Sequence, residues 1–175
     1  KLRGPVSPKI DATLFRPSSK QTFTVEMTRE NIKVQAITQC QVLPGTEVGY
    51  IKLPKFQEDT SEEFTKAVDT LLGLNIKGLI LDLRNNPGGL LDEAIDVAGR
   101  FIGPEKLVVY TQGRLAEQNV KKISTASCRI LGLPAVLLIN RWPAAAAEVV
   151  SGAVQDWEGG LVLGETSFGK ASVQS

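Results

Sequence analysis

Three short segments of the chain carry residue types whose spacing could support chemistry. The first is the turn 84–89 (Arg-Asn-Asn-Pro-Gly-Gly), the second is Ala144–Ala146 at a predicted helix start, and the third is 164–170, which ends in Lys170. A glycine-rich turn can direct backbone N–H groups outward, and a helix N-terminus favours negative charge. With one lysine nearby, these segments predict a site for an anion or an oxyanion.

Each feature taken singly has an ordinary explanation. Lysines usually lie on the surface, and Pro-Gly-Gly turns more often simply connect a strand to a helix. Glu148, in the predicted helix after the second segment, could be a solvated charge or a partner of the helix dipole. The first turn is not a phosphate loop, because the pattern G-x-x-x-x-G-K-S/T is absent. The interpretation therefore depends on the three segments meeting in space.

The composition excludes several kinds of site. The 175 residues include no histidine, which excludes a Ser-His-Asp triad, a Cys-His pair and an HExxH zinc site. Cys40 and Cys128 are too few for a disulfide framework and are expected to be separate buried thiols. Neither a metal nor a cofactor is therefore expected.

The charge and hydropathy patterns also restrict the partners. Twenty Lys and Arg residues against 19 Asp and Glu give a net charge of +1. This balance does not favour nucleic acid or an anionic membrane surface as a partner. The longest apolar runs, such as Leu133–Ile139, are far shorter than a membrane span requires. A transmembrane segment is therefore not expected.

Two patterns divide the chain near Asn31–Gln35. Residues 9–16 and 21–29 alternate polar and apolar side chains around the turn 17–20, which predicts a β-hairpin. From about residue 36 strands and helices alternate, as in an α/β domain. The chain does not begin with Met and its last residues resemble a strand, so we expect a piece of a longer protein, truncated at its C-terminal end.

The α/β region contains five predicted strands and three predicted helices. The run 77–83 is apolar on both faces, which predicts a central strand buried on both sides. Thr60, with Glu63 three residues later, resembles a capping box at the start of the first helix. The predicted strands are Val48–Leu53, 77–83, Leu107–Tyr110, Leu133–Asn140 and Leu161–Gly164; the predicted helices are Thr60–Gly73, Leu90–Ile102 and Ala144–Asp156.

The handedness of strand connections predicts where the three segments lie. If 133–140 and 161–164 are parallel neighbours joined by a right-handed crossover, the residues after the second strand lie beside the start of the intervening helix. Residues 168–170 are then close to Ala144–Ala146. All three segments leave the carboxyl ends of strands, where open α/β sheets bind their ligands.

Several blocks of residues, taken in their order along the chain, resemble those of the carboxyl-terminal processing peptidases. These are tail-specific serine proteases of family S41. The resemblance implies a ClpP/crotonase-like layered α/β core over 35–175, preceded at 1–34 by a β segment that resembles the end of a PDZ domain. The matching residues are Leu2-Arg3-Gly4-Pro5, Gly49-Tyr50-Ile51, Leu81 to Ala94, Asn140-Arg141, Glu148, Gly164 to Lys170 and Val173-Gln174.

The resemblance implies a Ser-Lys dyad from which one partner is missing. In the family the nucleophile lies in a segment like S-A-S-A-S/A-E, and the base lysine follows about 25 residues later. Lys170 matches the base, and Ala145 stands at the position of the serine. The segment 143–148 contains no hydroxyl, and neither Ser151 nor Ser167 is well placed to replace the serine.

The resemblance also implies roles for the neighbours of the dyad. Apolar burial would lower the pKa of the base lysine so that it can accept the serine proton, and Phe168 fits such a setting. Gln174 would hold the amine in position, and Glu148 would support the site by hydrogen bonding. The backbone N–H of Ala146, together with that of either Gly88 or Gly89, would form the oxyanion hole.

These expectations leave two functions open. Alanine has no nucleophilic oxygen, so the chain should bind an unfolded or C-terminal polypeptide without cleaving it. Either Ala145 replaces the serine of a working endopeptidase, or the chain is a natural pseudo-protease that acts as a substrate-binding or assembly module. An acyl-thioester enzyme of the crotonase layout has no nucleotide-binding feature in its favour. The resemblance implies the bacterial envelope, meaning the periplasm or outside, or the thylakoid lumen; the oligomeric state stays open.

Overall fold

The computed structural model describes residues 4–6, 9–30, 34–130 and 132–172. Its contacts divide the chain into two units, Lys1–Val34 and Gln35–Ser175. The first unit contains a hairpin, and the second contains a five-stranded sheet with three helices.

The hairpin of the first unit consists of β1 (Lys9–Arg16) and β2 (Gln21–Thr28). The strands are antiparallel and continuous in register, from Lys9 opposite Thr28 to Arg16 opposite Gln21. This confirms the predicted hairpin. Its alternating pattern gathers apolar residues on one face: Ile10, Ala12, Leu14, Phe23, Val25 and Met27.

The second unit is built around a mixed sheet with the strand order β3-β4-β5-β8-β9. Strands β4, β5, β8 and β9 are parallel, whereas β3 runs antiparallel to β4. A separate antiparallel pair is formed by β6 and β7. The strands are β3 Gln39–Val42, β4 Val48–Lys52, β5 Gly78–Asp82, β6 Leu107–Tyr110, β7 Lys121–Ile123, β8 Ala135–Ile139 and β9 Leu161–Gly164.

Each parallel connection passes through a helix. The helices are α1 (Thr60–Gly73), α2 (Leu91–Ile102) and α3 (Ala146–Asp156), and a short 3-10 turn lies at Ala116–Gln118. This pattern confirms the predicted α/β class, and it brings the loops after β5, β8 and β9 to the same edge of the sheet.

The helices cover one face of the sheet. Leu79, Leu81 and Leu137 are fully buried in one cluster with helix residues such as Phe64 and Val150. The alternate strand residues are less covered: Ile80, Val136 and Leu138 are half-buried, and Leu161 and Leu163 are exposed. The prediction that residues 77–83 are buried on both sides is confirmed for the first face, whereas on the second face Asp82 is buried and Ile80 is only half-buried.

The predicted capping box of α1 is wrong. Thr60 is the first residue of the helix, and its hydroxyl bonds with Gln57. Glu63 instead accepts hydrogen bonds from the backbone N–H groups of Ala36 and Ile37, at 2.7 and 3.2 Å. A tertiary contact with the first residues of the domain thus replaces the local cap.

Two further expectations are corrected by the structure. Helix α3 begins at Ala146, two residues later than predicted, so Ala144 and Ala145 belong to the preceding turn. The cysteines are separate thiols as expected, but Cys40 is exposed and Cys128 is half-buried. Within the described ranges, no helix combines the length and apolarity that a bilayer span needs.

The packing between α1 and α2 yields a stability prediction. Phe64 is fully buried and its ring stacks on Phe101, with 5.7 Å between ring centroids. Replacing Phe64 by Ala should lower the free energy of unfolding by about 3–5 kcal/mol, because a large buried ring is lost and a cavity is left. Urea denaturation followed by circular dichroism measures this loss. The exposed residue Leu115 provides the control, since Leu115→Ala should change stability by about 0.5 kcal/mol or less; equal effects would contradict the described core.

Candidate active site

The turn 84–89 contacts the segment that precedes α3. The carbonyl of Asn86 accepts a hydrogen bond from the N–H of Ala144 at 3.2 Å. A Cβ atom placed on Gly88 would lie 3.1 Å from Cβ of Ala145 and 3.0 Å from the backbone nitrogen of Ala146. The first two candidate segments are therefore in direct contact.

The carboxylate of Glu148 brings the third segment to the same place. One oxygen, Oε2, accepts hydrogen bonds from the backbone N–H groups of Ala145 and Lys170, both at 2.9 Å. The other oxygen accepts hydrogen bonds from the Ser167 hydroxyl and the Gly169 N–H, both at 2.6 Å. The backbone nitrogens of residues 145 and 170 are thus no farther apart than twice 2.9 Å. The predicted proximity of the segments is observed.

Glu148 is held in its ionised form by these contacts. Burial alone would raise the pKa of its carboxyl, but the hydrogen bonds from Ser167, Gly169, Lys170 and Ala145 outweigh burial and lower the pKa below its ordinary value of 4.5. The side chain also lies at the N-terminal turn of α3, where the helix dipole favours an anion. Glu148 therefore acts here as a charged bridge between two backbone segments.

Ala145 has an unusual backbone conformation. Its φ and ψ angles are 49° and −113°, and it is the residue immediately before α3. Such a conformation costs a non-glycine residue about 1–3 kcal/mol and tends to occur at functional sites. A strained turn into a helix is also how some hydrolases expose a nucleophile. Ala145, which the resemblance aligns with a serine, is thus the strained residue of this turn.

Two backbone N–H groups near Ala145 have no hydrogen-bond partner in the described part of the chain. The N–H of Gly88 is occupied, because it donates to Oδ1 of Asn86 at 2.8 Å. The carbonyl of Gly88 accepts from the N–H of Phe56 at 2.9 Å. Since a trans peptide points its C=O and N–H in opposite directions, the N–H of Gly89 points away from Phe56. The unpaired N–H groups are those of Gly89 and Ala146.

Gly89 can only be a glycine in this turn. Its φ angle is +142°, and a Cβ atom there would lie 1.8 Å from the carbonyl oxygen of Phe56. The same carbonyl accepts a hydrogen bond from the N–H of Leu90 at 3.0 Å. Because the backbone of Phe56 lies so close, the second residue of the pair Gly88-Gly89 must be a glycine.

The setting of Lys170 differs from the expectation. Its backbone is fixed through Glu148, but the residue is exposed, and Phe168 beside it is 67% exposed. The N–H of Phe168 donates to the carbonyl of Pro143 at 3.1 Å, so the backbone of this segment stays close to the turn before α3. The predicted apolar burial of the amine is not formed by the described residues. Gln174 lies outside the described residues.

The remaining hydroxyls near the turn already have partners. Ser151 is buried and donates to the carbonyl of Ala147 in its own helix at 2.9 Å. Ser167 donates to Glu148 at 2.6 Å. Neither hydroxyl is therefore positioned as a nucleophile at the site of Ala145.

Sequence reasoning missed a charged cluster that anchors the start of the turn. The buried carboxylate of Asp82 accepts hydrogen bonds from the Tyr50 hydroxyl at 2.6 Å and from the backbone and side chain of Arg84 at 2.7–3.0 Å. Lys52 Nζ lies 3.0 Å from the same carboxylate and donates to the carbonyl of Arg84 at 2.9 Å. The available signal was a single aspartate in an otherwise apolar strand.

The cluster keeps Asp82 ionised. Burial would raise the pKa of its carboxyl, but the hydrogen bonds from Arg84, Tyr50 and Lys52 hold the pKa well below its ordinary value of 3.8. Because Arg84 is the first residue of the turn, this anion fixes the turn to the end of β5 and β4.

A second pair of side chains joins the turn to the loop after β8. Asn140 accepts hydrogen bonds from the N–H groups of Asn85 and Trp142 at 3.0 and 3.3 Å, and donates to Oδ1 of Asn85 at 2.8 Å. Asn85 has a φ angle of 66°, which asparagine tolerates better than most residues. The two loops are thus linked by side chains as well as by backbone.

The arrangement fits the stabilisation of an oxyanion. Two unpaired N–H groups flank a strained residue at a helix N-terminus, and a lysine-bearing segment is attached to the same residue. Such preorganised donors stabilise the negative oxygen of a tetrahedral intermediate in acyl transfer. In the described part of the chain, no group of three metal-ligating side chains is found.

Comparison with known families agrees with this geometry. The sequence profile of peptidase family S41 matches residues 47–175. The chain belongs to peptidase family S41. The carboxyl-terminal-processing protease of Synechocystis sp. is 34% identical over 178 residues, covering 100% of this chain and 41% of that protein. Carboxyl-terminal-processing peptidase 2, chloroplastic, of Arabidopsis thaliana is 30% identical over 181 residues, covering 99% and 34%.

Solved structures of S41 proteins show the same fold. The photosystem II D1 C-terminal processing protease matches with a TM-score of 0.68 and 28% identity, over 98% of this chain and 47% of that chain. A putative S41 protease from Bacteroides fragilis matches with a TM-score of 0.61 over 95% of this chain and 49% of that chain; its 17% identity supports the fold alone. The S41 chain described here spans between 34% and 42% of the length of its curated relatives.

The Asp82 cluster yields a prediction with a defined pH dependence. Replacing Asp82 by Asn should lower the free energy of unfolding by about 1.5–3 kcal/mol at neutral pH, because hydrogen bonds to a charged group are lost. The folded-state pKa of Asp82 lies below its ordinary value of 3.8. Its contribution is therefore fully present above that value and decreases as the pH falls through the lowered pKa. Denaturation of parent and variant from pH 7 to the acid range should show the difference shrinking.

The control for this experiment is Asp69→Asn. Asp69 pairs with Arg129 at 3.1 Å, and both side chains are about half exposed. Its replacement should change the free energy of unfolding by about 0–1 kcal/mol. A loss at Asp82 as small as that at Asp69, or one independent of pH, would contradict the anchoring role.

Proposed function

We propose that the chain is the catalytic core of a serine endopeptidase of the C-terminal-processing type, which uses a Ser-Lys dyad and is inactive as written because Ala145 replaces the nucleophilic serine. The observation that carries this proposal is the strained conformation of Ala145 beside two unpaired N–H groups. A strained residue at a helix start costs conformational free energy. The placement of N–H donors for an oxyanion would explain why this strain is kept.

In the proposed reaction, the hydroxyl of a serine at position 145 attacks the carbonyl carbon of the scissile peptide bond. Lys170 accepts the hydroxyl proton and later donates a proton to the leaving amine. The N–H groups of Gly89 and Ala146 bind the oxyanion, and each such donor contributes about 100- to 1000-fold to the rate. Gly88 is assigned a structural role because its own N–H is already bonded to Asn86.

The neighbours of the dyad are assigned roles by resemblance and by their contacts. Glu148 positions the lysine segment against the turn that carries residue 145. Gln174 holds the lysine amine. A lysine serves as a base only where an apolar cover removes its amine from water. Lys170 is exposed here, so we place that cover in other segments of the full-length protein, since curated relatives are more than twice as long.

The proposed substrates are unfolded or C-terminal polypeptides. Three of the proteins compared above are named as C-terminal processing proteases or peptidases, and one of these is named for the photosystem II protein D1. We also propose that residues 1–34 are the closing part of a PDZ-like domain, and that 35–175 form the peptidase core. The bacterial envelope, or an equivalent lumen, is the proposed location by resemblance to these relatives.

One observation favours a second candidate, a pseudo-protease that binds or assembles without cleaving. The segment 143–148 contains no hydroxyl at any position, not only at 145. Against it, Lys170 and Glu148 are both present, and Glu148 bonds the backbone of Lys170 as well as that of Ala145. Restoring the serine distinguishes the two candidates.

Replacing Ala145 by Ser in the full-length protein should restore cleavage of a disordered polypeptide such as casein, because the hydrogen-bonded frame is present and the further segments would supply the apolar cover that Lys170 lacks here. A second change, Lys170→Ala in that background, should abolish the gain, since loss of a dyad member costs several powers of ten in rate. Appearance of fragments, followed by electrophoresis and mass spectrometry, measures both effects. Lys66→Ala in the same background is the control, because Lys66 is an exposed residue of α1. A folded full-length Ala145→Ser protein that binds the polypeptide without cutting it would favour the pseudo-protease.

Replacing Glu148 by Gln in the Ala145→Ser background should lower the rate of cleavage by about 100-fold, because the lysine segment would shift from residue 145. The carboxylate accepts four hydrogen bonds, and an amide nitrogen cannot accept any of them. Initial rates on a fluorogenic peptide measure the loss. Glu62→Gln is the matched control, since Glu62 is exposed and bonds only Lys66 among the described residues; its variant should stay within about twofold. Equal rates for both variants would remove Glu148 from the mechanism.

A further inference from the structure

Asn86 is a fully buried polar residue at the junction of three segments. Its side-chain Nδ2 donates to the carbonyl of Leu53, just beyond β4, at 2.8 Å. Its Oδ1 accepts from the N–H of Gly88 at 2.8 Å. Its backbone carbonyl accepts from the N–H of Ala144 at 3.2 Å, and its N–H donates to Leu83 at 3.0 Å. Both backbone groups and both ends of its side-chain amide are therefore bonded.

The bond from Oδ1 to Gly88 is favoured by the local sequence. Asparagine side chains readily accept a hydrogen bond from the N–H two residues later. Pro87 lies between them and has no N–H of its own, and its ring restricts φ. The side chain of Asn86 thus has Gly88 as its nearest backbone donor on the C-terminal side. This bond removes the Gly88 N–H from the group of donors that could face a substrate.

The same residue fixes the peptide plane that follows. With its N–H on Asn86 and its carbonyl on Phe56, Gly88 is held at both ends. The N–H of Gly89 must then point away from Phe56. Through its own carbonyl, Asn86 also holds the turn that leads to Ala146. Both unpaired N–H groups are thus placed by bonds that Asn86 makes.

We propose that Asn86 is a positioning residue of the oxyanion site: it binds the Gly88 N–H and joins the diglycine turn to the segment before α3, so that the N–H groups of Gly89 and Ala146 are the two donors. This inference rests on the proposed function. Asn86 touches neither substrate nor reacting atoms in this proposal, and it acts only through the backbone of its neighbours.

Amide hydrogen exchange tests which backbone N–H groups are hydrogen-bonded, and it does not require catalytic activity. In the chain as written, followed by nuclear magnetic resonance, the amide of Gly88 should exchange at least about 100-fold more slowly than those of Gly89 and Ala146, because only the first is bonded within the protein. Asn86→Ala should remove the protection of Gly88. A Gly88 amide that exchanges as fast as Gly89 would overturn the inference.

Kinetics in the Ala145→Ser background test whether the placement of the donors by Asn86 affects the rate of cleavage. Asn86→Ala should lower kcat by about 100-fold while KM changes less than about threefold, because the donors act on the transition state more than on the bound substrate. Rates are divided by the folded fraction from circular dichroism, so that a loss of stability alone does not lower them.

The matched control is Asn119→Ala. Asn119 lies in the β6–β7 connection, and its Oδ1 accepts from the N–H of Gly113 at 2.9 Å, so the same kind of bond is lost far along the chain from the turn. Its variant should keep kcat within about twofold. A folded Asn86→Ala chain with kcat within threefold of its parent would overturn the inference. An inert Ala145→Ser chain with a protected Gly88 amide would instead overturn the proposed function alone, and the exchange pattern would still support the placement of the amides by Asn86.

Discussion

The candidate site depends on the hydrogen bonds that the carboxylate of Glu148 accepts. Its four hydrogen bonds join the turn before α3 to the segment that carries Lys170, and those two segments are more than twenty residues apart in the chain. The charge is half-buried, and only a full set of donors compensates an anion that has lost much of its water. The helix dipole of α3 adds to this stabilisation. Without the carboxylate, little would hold the lysine segment beside residue 145.

The opposite wall of the site is built from the sheet by a second series of bonds. Asp82 fixes Arg84 at the end of β5, Asn86 links the turn to the end of β4, and its carbonyl holds Ala144. The first two bonds join a loop to a strand end and the third joins two loops, so the positions of the donors follow largely from the rigid sheet. Parallel strands joined by right-handed crossovers bring these loops to one edge, which explains why short polar segments far apart in the sequence can form one site.

The sequence allowed most of the element order and the meeting of the three segments to be predicted, because hydrophobic periodicity and connection handedness are local or general properties. The short strands β3 and β7 were not assigned. The hydrogen-bond partners of side chains were harder to predict from the sequence. Glu63 looked like half of a capping box, yet it binds backbone N–H groups 26 and 27 residues away. The hydrogen bond from Asn86 to Leu53 joins residues 33 positions apart, and such a contact produces no periodic pattern in the sequence. The burial of Lys170 was inferred from one neighbouring phenylalanine, and a single apolar neighbour does not determine solvent exposure.

The strain at Ala145 has a further implication. A methyl side chain makes no hydrogen bond, so no interaction of residue 145's own side chain maintains its φ of 49° and ψ of −113°. The conformation is instead imposed by the surrounding bonds, namely the one from its N–H to Glu148 and those that hold Ala144 and Gly88 to Asn86. The frame is therefore complete before any reacting atom is added. An enzyme gains most from donors that need no rearrangement as charge develops, and a frame that keeps its strained geometry around an alanine meets that requirement.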